Sequence, residues 1–280
     1  MMDIYVASAF SKNGSGGNKA GVVINEADLT AAQKLSIARE LGYSETAFVL
    51  NSSAADYKLE YYTPTDEVPL CGHATIAAFY ILKLLNMLEK QDYKIETKAG
   101  ILRIHVKENG MIFMEQNCPE CFEVLKPDMF AGCLEDLFID NSLPIQIIST
   151  GLKDIMLPID TMEHLEGLTP DFEVMTDLSM EKDVVGVHAF TLTKDSNVTA
   201  ICRNFAPLYG IDEESATGTS NCALACYLFK YYKKKTQYVF EQGHNLGEVS
   251  RIEVNIEYHD DVIDSVFVGG YGRLVCKRSL

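Results

Sequence analysis

Cys71-Gly72-His73-Ala74-Thr75, running straight into Ile76-Ala77-Ala78-Phe79-Tyr80-Ile81-Leu82, decides how this chain folds. A glycine turn opens a run that is apolar on nearly all sides. Such a run has no polar face to give to water, so it predicts a helix buried all round. The pattern returns at Ala216-Thr217-Gly218-Thr219-Ser220-Asn221, followed by an apolar helix over 222–231. Gly218 lies 146 residues after Gly72, and at that offset Ala77 meets Ala223 and Leu82 meets Leu228. Further on, Arg103-Ile104-His105-Val106 matches Arg251-Ile252-Glu253-Val254 at an offset of 148. The chain therefore reads as two copies of one unit.

The flanking sequence agrees. Strands are expected at 3–10, 20–24, 47–50, 57–62, 95–97, 101–106 and 111–115 in the first copy. In the second copy they are expected at 198–205, 238–241, 251–257 and 266–268, with a polar turn at 210–215. Thr30 and Gln33 have the spacing of a capping box, which opens a helix to about residue 41, with Gly42 as its stop. A helix apolar all round needs a partner that wraps it, and strands are the abundant partner here. The expected fold is α+β: two pseudo-symmetric domains, each a curved, mostly antiparallel sheet around a central helix. The boundary falls between 1–118 and 119–280, with the C-terminal strand 266–280 crossing back to the first half.

Composition narrows the partners. A formal net charge of −16 repels phosphate backbones and argues against nucleic acid. The longest apolar stretch is too short to span a bilayer and Lys83 interrupts it, so no membrane span is expected. No export signal precedes Asp3-Ile4-Tyr5-Val6, and eight cysteines in 280 residues are too sparse for a disulfide framework. A cytoplasmic protein with reduced thiols is expected.

Several residues could carry chemistry. Each buried helix begins at a glycine turn, where unpaired N–H groups and the helix dipole suit a carboxylate or phosphate. Two such turns facing one cleft would fit a small anionic substrate. Glu45 is a lone carboxylate entering the apolar strand Thr46-Ala47-Phe48-Val49-Leu50. It reads either as a solvated strand end or as a general acid/base. His73 either finishes a helix start or takes part in chemistry, and Glu214, taken alone, is one acid among many. Cys118-Pro119-Glu120-Cys121 lacks the second pair of a zinc site, and Gly14-Ser15-Gly16-Gly17-Asn18-Lys19 lacks the spacing of a phosphate loop. No metal site and no cofactor are expected.

The sequence resembles the PhzF-like proteins of phenazine biosynthesis, which share the diaminopimelate epimerase fold. The resemblance rests on Gly17-Asn18-Lys19-Ala20-Gly21-Val22, Ser44-Glu45-Thr46-Ala47-Phe48, Thr63-Pro64, Gly72-His73-Ala74-Thr75, Ala216-Thr217-Gly218, Glu241-Gln242-Gly243 and Val268-Gly269-Gly270, in the family's order over nearly the whole chain. It implies a cofactor-independent isomerase in which Glu45 transfers a proton, assisted by His73 and Glu214. It places Asn18, Cys71, Gly72, Gly218 and Thr219 at the substrate, a small carboxylate, and implies a homodimer. Departures reshape the second segment: Glu214 stands at the family's aspartate, Ser215 at its proline and Thr219 at its serine, while Ala74 replaces the proline after His73.

The epimerase branch of that fold uses two cysteines. Cys71 occupies the first position, but Thr217 stands at the second, and a threonine hydroxyl is too weak an acid for that exchange. Two further readings stay open: an amino-acid racemase or epimerase built on Cys71, and a non-catalytic small-molecule binding protein on the same fold.

Overall fold

Residues 3–24, 29–135 and 137–279 are described by the structure, a computed structural model. Their backbone is mixed α+β. It divides into two compact units: residues up to Glu115 together with those from Gly269 onward, and Gln116–Val268.

In the first unit, β1 (Asp3–Ser11) and β2 (Asn18–Ile24) form an antiparallel pair around the glycine-rich loop. Then α1 (Ala31–Leu41) crosses over to β3 (Thr46–Leu50), which runs parallel to β2. The capping box forms as expected: the Thr30 amide donates to Gln33 Oε1 at 2.9 Å and the Gln33 amide to Thr30 Oγ1 at 3.3 Å. Gly42 ends the helix. β4 (Tyr57–Tyr62) is antiparallel to β3, and the two-residue β5 (Glu67–Val68) pairs with its end. The buried helix α2 (Gly72–Leu84) returns the chain to β6 (Asp92–Thr97), parallel to β4. β7 (Gly100–Val106) and β8 (Ile112–Gln116) continue antiparallel.

The second unit runs through β9 (Glu120–Leu125), β10 (Ile145–Ser149), β11 (Lys153–Pro158), α3 (Met162–Gly167), α4 (Phe172–Lys182), β12 (Gly186–Leu192), β13 (Ala200–Ala206), β14 (Ile211–Glu214), α5 (Gly218–Tyr231), β15 (Gln237–Gln242) and β16 (Ser250–His259). Its pairing senses repeat those of the first. β10–β11 is antiparallel like β1–β2, and β11–β12 parallel like β2–β3. β12–β13 is antiparallel like β3–β4, β13–β15 parallel like β4–β6, and β15–β16 antiparallel like β6–β7. In each unit a helical crossover joins the first parallel pair and an apolar helix joins the second.

That apolar helix is the core. Ala74 through Phe79, Ile81 and Leu82 are buried in α2; in α5 Gly218 and all residues from Ser220 to Phe229 are buried. Thus both helices expected from the glycine turns form, and both start at the glycine. The last strand, β17 (Val262–Ser279), contains the 266–268 segment read from the alternation and runs along nearly all of 266–280. Its C-terminal part pairs antiparallel with β1, from Tyr271 opposite Ser11 to Ser279 opposite Asp3.

The segment 210–215 is not a turn throughout. Residues 211–214 form β14, antiparallel to β13. An acidic strand is tolerated there because Glu213 accepts from Arg203 Nε at 3.0 Å and from its Nη2 at 2.8 Å.

Candidate active site

The first cluster forms where β3 and α2 begin. Glu45 immediately precedes β3, and its carbonyl accepts from the Gly21 amide at 3.1 Å. Gly21 lies opposite Thr46 in the parallel ladder. A Cβ at Gly21 would come within 2.6 Å of Thr46 Oγ1 and 2.8 Å of Leu41 Cδ1. Only glycine lets the end of α1 and the start of β3 close on β2 here, and that closure sets where Glu45 emerges.

Cys71 and His73 flank Gly72 at the other edge of the cluster. Cys71 is the extended N-cap of α2, and its thiol caps no helix amide. Its backbone is well held: the carbonyl accepts from Thr75 Oγ1 at 2.7 Å and from the Thr75 amide at 3.1 Å. Thr75 Oγ1 also lies 2.6 Å from Tyr61 Oη. Burial pushes the Tyr61 phenol far up, so it remains a hydroxyl.

His73 is the hub. Its Nε2 lies 3.2 Å from Glu45 Oε2 and 3.5 Å from Ser44 Oγ, and its Nδ1 lies 3.4 Å from Cys71 Sγ. The carboxylate approach is an ion-pair distance without hydrogen-bond alignment. Glu45 Oε2 is shielded from water and has no hydrogen-bond partner among the described residues. The side chains of His73 and Glu45 keep 11% and 22% of their surface exposed, enough to reach a small molecule. Glu45, Cys71 and His73 are also the group among the described residues whose ligand atoms could hold a metal, all within 4.8 Å of one another.

Thus Glu45, Cys71, Gly72 and His73 come together within the first unit. Ser44, beside Glu45 in the sequence and not among the expected site residues, joins them through His73 Nε2. Asn18 starts β2, opposite Ala9.

Glu214, Gly218 and Thr219 belong to the second unit. Thr217 Oγ1 donates to Glu214 Oε2 at 2.7 Å. Gln242, unassigned by the sequence reading, ties this turn together. Its Nε2 donates to the Glu214 carbonyl at 2.8 Å and to Thr217 Oγ1 at 3.0 Å, and its Oε1 accepts from Asn221 Nδ2 at 2.9 Å and the Thr217 amide at 3.2 Å. Thr150 Oγ1 donates to the Thr219 carbonyl at 3.2 Å. The first turn of α5 is therefore pinned by buried side chains from β15 and from the residue after β10.

A further buried chain lies beneath it. Ser220 Oγ donates to Asp154 Oδ2 at 2.7 Å; Asn204 Nδ2 reaches Ser220 Oγ at 3.3 Å and His188 Nδ1 at 3.1 Å. All four residues are at most 2% exposed. Burial pushes the Asp154 carboxyl up to about 7, against the Ser220 hydroxyl, and pushes the His188 imidazole down to about 3.

Comparison with known proteins puts this geometry in context. The model of a family described as "Phenazine biosynthesis-like protein" matches residues 7–278. The chain is 35% identical to an uncharacterized isomerase of Clostridium acetobutylicum, covering 99% of this chain and 97% of the relative. It is 32% identical to the uncharacterized isomerase YddE of Escherichia coli K12, covering 95% and 94%. The crystal structure of a PhzF-family phenazine biosynthesis protein from Bacillus anthracis superposes with a TM-score of 0.89 at 31% identity, covering 100% of this chain and 98% of that one. A hydroxyproline epimerase from Agrobacterium vitis, with bound trans-4-hydroxy-L-proline, shares the fold at a TM-score of 0.62 and 13% identity, covering 99% and 91%.

Proposed function

The chain belongs to the phenazine biosynthesis-like protein family, and from that premise we propose that it is a cofactor-independent isomerase. Its substrate is a small molecule bearing a carboxylate, and Glu45 moves the proton. The observation that carries this reading is the Glu45–His73 approach at 3.2 Å, with Oε2 shielded and without a hydrogen-bond partner among the described residues. Such an oxygen can take a proton from a carbon activated by a neighbouring double bond or carbonyl, then return it elsewhere on the same molecule. His73 steadies the carboxylate and stabilises its negative charge. The first amides of α2, beside Gly72, offer unpaired N–H groups to a substrate carboxylate.

The contact of Cys71 Sγ with His73 Nδ1 at 3.4 Å favours a second reading, an epimerase in which the thiol is one base. Thr217, at the position of the second thiol, instead donates its hydroxyl to Glu214. One experiment separates the two. Candidate cyclic and α-keto carboxylates are incubated with enzyme in deuterated water, and exchange is followed by proton NMR. On the Glu45 reading, Glu45→Gln loses about 10²-fold or more of the exchange rate, while Cys71→Ser keeps most of it. The reverse pattern establishes the thiol reading instead.

A further inference from the structure

The trio at the start of α2 has a second chemical capacity, independent of proton transfer. A tetrahedral zinc ion holds S, N and O ligand atoms about 3.3–3.6 Å apart, given metal–ligand bonds of about 2.0–2.3 Å. His73 Nε2 already lies 3.2 Å from Glu45 Oε2 and 3.9 Å from Cys71 Sγ. All three ligand atoms fall within 4.8 Å of one another.

The supporting structure is ready-made. Cys71 is fixed from behind through Thr75 and Tyr61, and Glu45 through the Gly21 amide. The α2 N-terminus favours the two anionic ligands. Glu45 and His73 keep part of their side chains exposed, which gives an ion a path to the cluster. Three other histidine–carboxylate pairs, His105–Asp92, His164–Asp160 and His259–Asp264, are surface doublets, and a fourth, His244–Glu241, has a buried carboxylate; among the described residues none of the four belongs to a three-ligand cluster.

We propose that Glu45, Cys71 and His73 form a binding site for a thiophilic divalent cation of the zinc class. On binding, the Cys71 thiol gives its proton to solvent as the sulfur–metal bond forms, with no change of oxidation state. The ion takes the Glu45 lone pair that proton transfer needs and draws His73 away from the carboxylate it steadies, so it inhibits. The binding itself does not depend on the isomerase reading; only the inhibition does.

Cobalt(II) is the probe, since it adopts zinc geometry and reports thiolate ligation through a charge-transfer absorption band. Cys118 and Cys121, both exposed, form a competing pair, so the titration is made in the full-length Cys118→Ser/Cys121→Ser protein. The expected result is a charge-transfer band with tetrahedral visible bands, saturating at one equivalent and displaced by zinc. Adding Cys71→Ser abolishes the charge-transfer band, and adding Glu45→Gln or His73→Asn weakens cobalt binding about tenfold or more. Far-ultraviolet circular dichroism checks that each variant is folded, and His73→Asn serves as the test should Cys71→Ser not fold. The proposal is overturned if the background protein gives no charge-transfer band, or if the band persists unchanged in Cys71→Ser or, where that variant does not fold, in His73→Asn. If cobalt binds as expected but zinc leaves solvent exchange into an accepted substrate untouched, the site stands and the Glu45 mechanism falls.

Discussion

At the residue scale, Asp154 and His188 make a linked pair whose protons can be counted. Folded, Asp154 holds its proton up to about pH 7 and His188 stays neutral down to about pH 3. Unfolded, the aspartate releases its proton above about 4 and the histidine gains one below about 6.5. Between those values each state carries one proton on the pair, so together they add no pH slope to stability. Removing either member uncovers the other. Asp154→Asn leaves a histidine whose unfolded form binds the extra proton, so stability relative to wild type falls as pH drops from about 6.5. His188→Gln leaves a carboxyl whose folded form holds the extra proton, so relative stability falls as pH rises from about 4 to 7. Each slope approaches about 1.4 kcal/mol per pH unit at most. Urea melts at several pH values check both signs, and parallel curves for the two variants would refute the pairing.

At the element scale, the position of Glu45, the proposed acid/base group, is set by how three elements close together. Gly21→Ala inserts a methyl against Thr46 and Leu41, and overpacking of this kind costs about 1–3 kcal/mol. It should lower the urea midpoint and the exchange activity together, because Thr46 follows Glu45 directly; a variant with unchanged midpoint would show that the contact relaxes freely. What could be read from sequence follows the same logic. α1 was legible because its start and stop signals, Thr30, Gln33 and Gly42, are local. β14 was not, because its acidic residues are made acceptable by Arg203, ten residues from Glu213 in sequence. Residues 119–197 carry local signals of the same kind, Thr161 and Asp171 as the caps of α3 and α4. β9 gave little pattern to find, since all but its last residue are exposed.

At the scale of the whole molecule, the two units use one strand order for unlike chemistry. Ala47 pairs with Tyr61 where His188 pairs with Asn204. Ala20 precedes the residue opposite Thr46, as Asp154 precedes the residue opposite Val187. Ala74 is the third residue of α2, as Ser220 is of α5. Three buried alanines in one copy thus stand where the other carries aspartate, histidine and serine. The same topology forms without these polar groups, so their burial is a specialisation of the second copy. Sequence comparison found the repeat through its glycine turns, but Ser220 and Asp154 are 66 residues apart and Asn204 and His188 are 16 apart, so that chain was beyond any local pattern. Glu45, by contrast, belongs to the first copy, beside Cys71 and His73, and on the proposed function this single carboxylate carries the proton. The most direct measurement uses an accepted substrate deuterated at the carbon that loses hydrogen, turned over in ordinary water and analysed by mass spectrometry. A single carboxylate predicts product that retains part of the deuterium at its new carbon in wild type, with transfer lost in Glu45→Gln. Deuterium carried across at the wild-type rate by Glu45→Gln would contradict it.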